Sequence, residues 1–169
     1  MDSFRIGHGY DAHRLEAGEK LVLGGVSIPF ELGLKGHSDA DVISHALMDA
    51  LLGAAAMGDI GTHFPDTCEE YRGISSIVLL KKVFEKLKSR GWKLVNADLT
   101  IVAQKPKLSA YFDRMRKNLA EALETNIGNI GIKATTEEKM GFTGRSEGMA
   151  AHAVVLIAKK HRETPEERN

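Results

Sequence analysis

The stretch Gly7-His8-Gly9-Tyr10-Asp11-Ala12-His13 opens the chain and reads as part of a β-strand. A strand that only fills a hydrophobic core carries Val, Ile and Leu, whereas this one sets two histidines and an aspartate between glycines. Glycine permits the close approach of another backbone, and His and Asp are metal-ligand side chains. Because residues i and i+2 of a strand share a face, Asp11 and His13 are predicted to project together. His8 lies on the opposite face, where an ordinary hydrogen-bonded histidine is the favoured interpretation.

Composition indicates one globular domain without a general charge bias. The chain has 169 residues, 43% of them hydrophobic, and 23 Lys and Arg balance 23 Asp and Glu. This neutrality excludes a general attraction to nucleic acid or to an anionic membrane surface, although a small anionic substrate remains compatible with it. The single cysteine, Cys68, excludes an intrachain disulfide and is typical of a reducing compartment. Because no apolar run approaches the roughly 20 residues of a membrane span, and the N-terminus lacks a signal-peptide core, we expect a soluble, cytoplasmic protein.

Hydrophobic periodicity predicts interleaved strands and helices. Strands are predicted at 4–15, 20–28, 92–102, 127–136 and 149–159, and helices at 41–57, 75–90 and 109–125. We expect the 20–28 segment to contain a Gly-Gly turn or bulge and to form a hairpin with the first strand, and Ser38 or Asp39 to cap the first helix. The predicted fold class is α/β (α+β): a single domain over 1–160, with a mixed β-sheet and helices packed on one face. Residues 161–169 are predicted to be a charged C-terminal tail, and the uncovered sheet face favours oligomerisation.

A metal site on Asp11 and His13 needs at least one more ligand, because two side chains do not complete a zinc site. Three candidates recur every four residues at the start of the first predicted helix: His37, Asp41 and His45. One carboxylate and two imidazoles with an open fourth position would form a catalytic rather than a structural zinc site. A plain hydrogen-bonded Asp–His pair is the alternative. Asp49, further along the helix, is either solvated or orients a metal-bound imidazole.

Two polar segments carry residues suited to a ligand. Residues 59–67 follow the first helix and have the composition of a binding loop, and equally of an ordinary surface loop. Residues 133–145 bring hydroxyls, carboxylates, Lys and Arg to a strand end, where hydroxyls and Arg suit phosphate and carboxylates suit Mg²⁺. A solvated loop is again the alternative. From the residues alone we predict a metal-dependent enzyme that acts on a phosphorylated small molecule.

Five motifs together carry a family resemblance. They are GHGYDAH, LGG, HSDADVISHALMDALLGAAAMGDIG, FPDT and KATTEEKMGFTGR, and they occur in this order between Arg5 and Lys159. In sequence and spacing they resemble the 2-C-methyl-D-erythritol 2,4-cyclodiphosphate synthases of non-mevalonate isoprenoid biosynthesis. The resemblance implies a lyase that converts 4-diphosphocytidyl-2-C-methyl-D-erythritol 2-phosphate to the cyclic diphosphate and releases CMP. It also implies a homotrimer with active sites at the subunit interfaces, binding Zn²⁺ together with Mg²⁺ or Mn²⁺.

The resemblance further implies roles for individual residues. The zinc ligands are expected to be Asp11, His13 and His45. The positions that stabilise the transition state match His37 and Thr136, and the protein ligand to Mg²⁺ or Mn²⁺ matches Glu138. The expected substrate-binding positions are Asp11, Ala12, His13, His37, Ser38, Asp59, Ile60, Gly61, Phe64, Pro65, Asp66, Thr67, Cys68, Ala103, Gln104, Lys105, Pro106, Lys107, Leu108, Ser109, Thr135, Thr136, Glu137, Glu138, Phe142 and Arg145. Within this set, 103–109 is the segment expected to hold the cytosine.

Two positions depart from the family pattern. Glu137 stands where many members carry a third threonine. Because its negative charge lies beside a phosphate site, we expect its side chain to face away from the phosphates. His152 stands where some members carry a glutamate near the trimer axis, and those members have been linked to isoprenoid diphosphates. Two other functions therefore stay open. One is a zinc phosphoesterase, and the other is a trimeric isoprenoid-diphosphate-binding protein on the same scaffold.

Overall fold

The computed structural model describes residues 3–65 and 67–159. Its strands are Ser3–Ala17 (β1), Leu21–Leu23 (β2), Val26–Ile28 (β3), Leu32–Leu34 (β4), Lys93–Val102 (β5), Ile130–Thr135 (β6) and Gly148–Lys159 (β7). Its helices are Val42–Ala54 (α1), Ile60–His63 (α2), Ser76–Ser89 (α3), Phe112–Ala122 (α4) and Gly141–Gly144 (α5), with 3₁₀ turns at Glu69–Tyr71, Ser109–Tyr111 and Ile127–Asn129. The predicted tail at 161–169 and the expected substrate-binding residue Asp66 lie outside the described residues.

A five-stranded mixed sheet in the order β4-β1-β7-β5-β6 forms one layer of the fold. β1 pairs antiparallel with β4 and β7, β5 pairs antiparallel with β7, and β6 runs parallel to β5. α1 packs on β1 and β7, α3 packs on α1, and α4 contacts both α3 and β6. The predicted mixed sheet with helices on one face is thereby confirmed.

The predicted hairpin between the first strand and residues 20–28 is wrong. β2 and β3 instead pair with each other as a separate two-stranded sheet. The physical reason is the turn between them, where Gly24 and Gly25 both have positive φ, at 54° and 68°. Two consecutive left-handed residues make the tight turn that folds one strand directly back on the next. The edge of β1 is instead covered by β4, which lies outside the strands predicted from the sequence.

Helix α1 is the centre of the core, and nearly all of its side chains are buried. Asp41, rather than Ser38 or Asp39, caps it by accepting a hydrogen bond from the backbone N–H of Ser44 at 3.2 Å. The carboxylate of Asp41 also accepts from the backbone N–H groups of Gly24 at 2.9 Å and Gly25 at 2.8 Å. These long-range contacts hold the start of α1 against the β2–β3 turn. Because they join residues far apart in sequence, the local sequence did not identify Asp41 as the cap.

The sheet face opposite α1 carries large apolar side chains that are exposed in the single chain. Phe4 is 59% exposed, Ile6 74%, Tyr10 47% and Val154 46%. Contiguous apolar surface of this kind marks an interaction face. Among the described residues, no helix is both long and apolar enough to cross a bilayer.

Candidate active site

Three side chains from two elements converge at one end of the sheet. Asp11 and His13 project from the α1 face of β1, as predicted, and His45 projects from the first turn of α1. Asp11 Oδ2 lies 3.0 Å from both His13 Nε2 and His45 Nδ1, and the two ring nitrogens are 3.1 Å apart. Zinc ligands about 2.0–2.1 Å from a tetrahedral ion stand roughly 3.3 Å from one another. We call Asp11, His13 and His45 the metal trio. The spacing of their ligand atoms fits a zinc ion with little rearrangement.

Two glycines of β1 make this convergence possible. A Cβ built on Gly9 would lie 1.9 Å from the carbonyl oxygen of Ala46, and one built on Gly7 would lie 1.9 Å from that of Ala50. No real Cβ approaches a backbone oxygen so closely, so α1 rests directly on the backbone of β1 at these positions. Since Gly9 precedes Asp11 by two residues and Ala46 follows His45, this contact brings the ligands from the two elements together.

The hydrogen bonds of each imidazole leave one nitrogen free to face the trio. His13 Nδ1 lies 2.9 Å from the carbonyl oxygen of Lys35, to which it donates, so that Nε2 carries the lone pair whenever the imidazole is neutral. His45 Nε2 lies 2.8 Å from Ser76 Oγ and 3.1 Å from Ser38 Oγ, and its Nδ1 faces the trio. Neutral imidazole nitrogens held in this way are suited to metal ligation.

The electrostatics of the trio favour a cation. Burial raises the pKa of the Asp11 carboxyl, but hydrogen bonds and positive charge from His13 and His45 outweigh burial and hold that pKa well below its usual range. Burial lowers the pKa of His13, but its hydrogen bond to Asp11 outweighs that effect and raises the pKa above its ordinary value. An ionised carboxylate beside two imidazoles attracts positive charge, which either protons on the imidazoles or a divalent metal ion can supply.

The other candidate ligands of this region have different positions. Asp41 is fully buried and bound to the β2–β3 turn, so this candidate ligand does not reach the trio. The reason is that α1 begins after Asp41, which leaves His37 in the preceding loop. Asp49 accepts a hydrogen bond from the backbone N–H of Ile60 at 2.8 Å and thus holds α2, and its burial raises its pKa.

A cavity of about 550 Å³ opens beside the trio. Its lining residues are Asp11, His13, His37, Ser38, His45, Ile60, Gly61, Phe64, Pro65, Thr67, Tyr71 and Leu79. Among the described residues, the buried Nε2 of His37 has no hydrogen-bond partner. An unpaired buried ring nitrogen costs free energy, so this atom is a natural hydrogen-bonding partner for a bound ligand.

Residues 59–65 and 67, from the segment predicted as a binding or surface loop, form one wall of this cavity together with Tyr71. Asp59 caps α2 by accepting from the backbone N–H of Thr62 at 2.8 Å, and the Thr62 bonds hold the pKa of Asp59 below its ordinary value. Phe64 packs edge-on against Tyr71, with ring centroids 5.4 Å apart. Cys68 is a free, partly exposed cysteine in the same segment. The wall is therefore built by aromatic contacts and one short capped helix.

A second cavity, of about 480 Å³, lies at the far edge of the sheet. Its lining residues are Ala103, Gln104, Lys105, Pro106, Lys107, Leu108, Ser109, Phe112, Ala134, Thr135 and Thr136. Thr136 Oγ1 donates to Glu138 Oε1 at 3.1 Å, and Thr143 donates to Glu137, whose carboxylate is thus engaged away from Thr136. Two more expected residues lie nearby in sequence: Phe142 is the second residue of the short helix α5, and Arg145 pairs with Glu147 at 2.8 Å.

The expected site residues thus fall into two groups in this chain. No described residue lines both cavities, and strands β7 and β5 separate Asp11 and His13 on β1 from Thr135 on β6. Sequence reasoning also missed two contributors, the carbonyl of Lys35 and the hydroxyl of Ser76. A carbonyl carries no sequence signal, and a serine at a helix start is normally interpreted as a cap.

Comparison with known proteins shows the family of this chain. The family model described as the YgbB family matches residues 4–158, nearly the whole chain. The chain belongs to the YgbB family. Its curated relatives include the 2-C-methyl-D-erythritol 2,4-cyclodiphosphate synthase of Geotalea daltonii, 56% identical over 164 residues, which are 97% of this chain and 96% of the relative. The synthase of Bacillus cytotoxicus is 55% identical over 93% of this chain and 99% of its own.

Solved structures give the same result for the fold of this YgbB family member. A 2C-methyl-D-erythritol-2,4-cyclodiphosphate synthase in its CDP-bound form matches with a TM-score of 0.83 and 39% identity, covering 90% of this chain and 99% of that one. The bifunctional IspDF of Campylobacter jejuni matches with a TM-score of 0.91 and 41% identity, covering 95% of this chain and 43% of that one. The family resemblance expected from the five motifs is confirmed.

Proposed function

We propose that this chain catalyses the reaction of its synthase relatives. It converts 4-diphosphocytidyl-2-C-methyl-D-erythritol 2-phosphate to 2-C-methyl-D-erythritol 2,4-cyclodiphosphate and releases CMP. The observation that carries the proposal is the trio of Asp11, His13 and His45 beside a cavity, in a chain more than half identical to named synthases. The CDP found with related structures supports a cytidine diphosphate substrate.

The reaction needs positioning and charge stabilisation more than proton transfer. An oxygen of the 2-phosphate attacks the β-phosphorus, a new P–O–P bond forms, and the bond to the bridging oxygen breaks as CMP leaves with its electron pair. Because the nucleophile is already an anion, no strong general base is required. Zn²⁺ bound by Asp11, His13 and His45 would act as a Lewis acid on the diphosphate. The unpaired Nε2 of His37 is suited to donate to a phosphate oxygen beside it.

The second cavity is proposed to hold the cytidine end of the substrate. Residues 103–109 surround a pocket with room for a base, and Thr135 and Thr136 line its polar side. We assign Glu138 as the protein ligand to Mg²⁺ or Mn²⁺ at the diphosphate, with Thr136 as a transition-state donor. Glu137 is engaged by Thr143, which supports the expectation that its charge is directed away from the phosphates.

A homotrimer would complete the active site. The two cavities share no described residue, and the exposed apolar sheet face offers a surface for association. In a ring of three subunits, each interface joins one surface of a subunit to a different surface of its neighbour. The metal trio of one subunit can therefore meet the second cavity of the next. A cytoplasmic location remains a prediction from composition alone.

The first test is to follow the substrate by ³¹P NMR with purified protein, Zn²⁺ and Mg²⁺. We expect the cyclic diphosphate together with CMP from the unmodified chain, and loss of zinc and turnover in His45→Ala. His8→Ala, on the opposite face of β1, is the matched control and should retain zinc. Inorganic phosphate in place of the cyclic product would support a phosphoesterase, and binding without turnover would support a binding protein.

A second test addresses the shared site by mixing two inactive variants. His45→Ala lacks a trio ligand, and Thr136→Ala lacks a group of the second cavity. If sites lie between subunits, co-expressed mixed trimers regain about one quarter of wild-type activity, because an intact pair occurs at roughly one interface in four. If each site lies within one chain, the mixture stays inactive.

A further inference from the structure

Behind the metal trio, two side chains contact His45 from the side away from the proposed metal. Ser76, the first residue of α3, is fully buried, and its Oγ lies 2.8 Å from His45 Nε2. Asp39, in the loop before α1, accepts the hydroxyl hydrogen of Ser76 at one carboxylate oxygen. Its other oxygen accepts the backbone N–H of Ser76 at 2.9 Å. The three residues form a continuous chain of hydrogen bonds that ends at a proposed metal ligand.

The direction of the hydrogens in this chain follows from its end. A carboxylate only accepts hydrogen bonds, so the O–H of Ser76 must point to Asp39. Ser76 Oγ then has only lone pairs left for His45, which must donate its Nε2 hydrogen. A neutral imidazole that carries its hydrogen on Nε2 has its lone pair on Nδ1, which is then available to a metal ion bound between His45, His13 and Asp11.

We infer that Ser76 and Asp39 are positioning residues that hold His45 in the Nε2–H tautomer and thereby raise the metal affinity of the trio. This inference rests on the metal site of the proposed function. Partners of this kind, behind a metal ligand, typically change metal affinity by about 10- to 100-fold. Ser38 is a weaker alternative partner for Nε2, because its Oγ is 3.1 Å away and also accepts from Ala40 N–H at 3.4 Å.

Backbone hydrogen bonds hold the Asp39–Ser76–His45 hydrogen-bond chain, here called the relay, in place. Asp39 N–H donates to the carbonyl of Ile74 at 3.2 Å, and Gly73 N–H donates to the carbonyl of His37 at 2.9 Å. These bonds join the loop before α1 to the residues that enter α3, so Asp39 and Ser76 cannot easily separate. The relay therefore restrains the position of His45 from the helix that packs beside α1.

The test compares four forms of the chain by two measurements. Zinc affinity is measured by competition with a chromophoric chelator. The His45 tautomer is measured by ¹⁵N NMR of the metal-free protein that also carries Asp11→Ala and His13→Ala, because Asp11 Oδ2 and His13 Nε2, 3.0 and 3.1 Å from His45 Nδ1, would otherwise accept a hydrogen there. We expect Ser76→Ala to weaken zinc binding by about 10- to 100-fold. The matched control is Ser75→Ala, the adjacent exposed serine whose side chain makes no capping hydrogen bond, and it should bind zinc like the unmodified chain.

Asp39→Asn provides the sharper outcome. Its amide oxygen should stay with the backbone N–H of Ser76, which places the amide NH₂ against Ser76 Oγ. The Ser76 hydroxyl must then donate to His45 Nε2, which moves the imidazole hydrogen to Nδ1 and blocks the metal-binding nitrogen. We expect the Nδ1–H tautomer in this variant and a loss of zinc affinity at least as large as in Ser76→Ala.

Several results would overturn the inference. Unchanged zinc affinity in Ser76→Ala, or the Nε2–H tautomer retained in Asp39→Asn, would show that the relay does not act on His45. Should a Ser76 or Asp39 variant fail to fold, the chain that carries only Asp11→Ala and His13→Ala still decides, since an Nδ1–H tautomer of His45 there contradicts the relay. Absence of zinc binding in the unmodified chain would remove the proposed metal site itself, whereas the first two results leave that site intact.

Discussion

Replacing Gly9 by alanine should damage both the fold and the metal site, because α1 rests on this residue. The added Cβ would stand 1.9 Å from the carbonyl oxygen of Ala46 and 2.7 Å from the backbone N of Ala50. To reach an ordinary contact of 3.4 Å, the helix must retreat by about 1.5 Å. The neighbouring atoms are backbone, so no side-chain rotation relieves the clash.

The size of this retreat sets both expected effects. Overpacking a core typically costs 1–3 kcal/mol, and a backbone clash lies at or beyond the upper end, so we expect a loss of about 3 kcal/mol in the free energy of unfolding. For a chain of this length that corresponds to a fall of roughly 6–12 °C in Tm. Metal–ligand distances tolerate a change of only about 0.2 Å. A displacement of His45 by about 1.5 Å, together with the helix, should therefore abolish high-affinity zinc binding.

The assay is thermal unfolding and chelator competition at one protein concentration, with Gly53→Ala as the matched control. Gly53 lies on α1 with nothing within 4 Å of an added Cβ. Alanine there should therefore raise stability by up to about 1 kcal/mol and leave zinc affinity unchanged. A Gly9→Ala protein that melts with the unmodified chain and binds zinc equally well would refute the claim that close packing of α1 on β1 builds the site.

Three further predictions concern charge and hydrogen bonding. Zinc affinity should fall as pH decreases, by roughly tenfold per pH unit for each displaced proton, because the metal competes with the proton on His13. Since the pKa of His13 is raised, the fall should begin above pH 6.5. A zinc affinity that does not change with pH in chelator competition would contradict this. Asp41→Ala should lower the free energy of unfolding in urea by at least about 3 kcal/mol, because it removes a helix cap and the buried acceptor of two turn N–H groups, and an unchanged midpoint would contradict this. Glu138→Gln should raise the Mg²⁺ concentration required for turnover more than it lowers zinc content, and an unchanged Mg²⁺ titration would remove Glu138 from that role.

Local geometry explains why part of the site could be predicted from the residues. Asp11 and His13 share a face because strand side chains alternate, and this holds wherever the strand is placed. The choice among His37, Asp41 and His45 could not be made in the same way. It depends on where α1 begins, and Asp41 sets that start through bonds to Gly24 and Gly25, about one-tenth of the chain away. The family resemblance selected His45 correctly as the member of the cluster, where spacing alone left three candidates.

The sequence by itself determined the chemical inventory of this protein: a strand with ligand side chains on one face, glycines able to accept a close neighbour, and interleaved strands and helices. The tertiary structure alone decided which helix lies on those glycines and which nitrogen of His45 faces Asp11. The tautomer depends on Ser76 and Asp39, whose contacts join segments 37 residues apart. The physical reason is that alternation and helical periodicity are local properties of the backbone, whereas hydrogen-bond direction and ligand convergence require groups that only folding brings within about 3 Å.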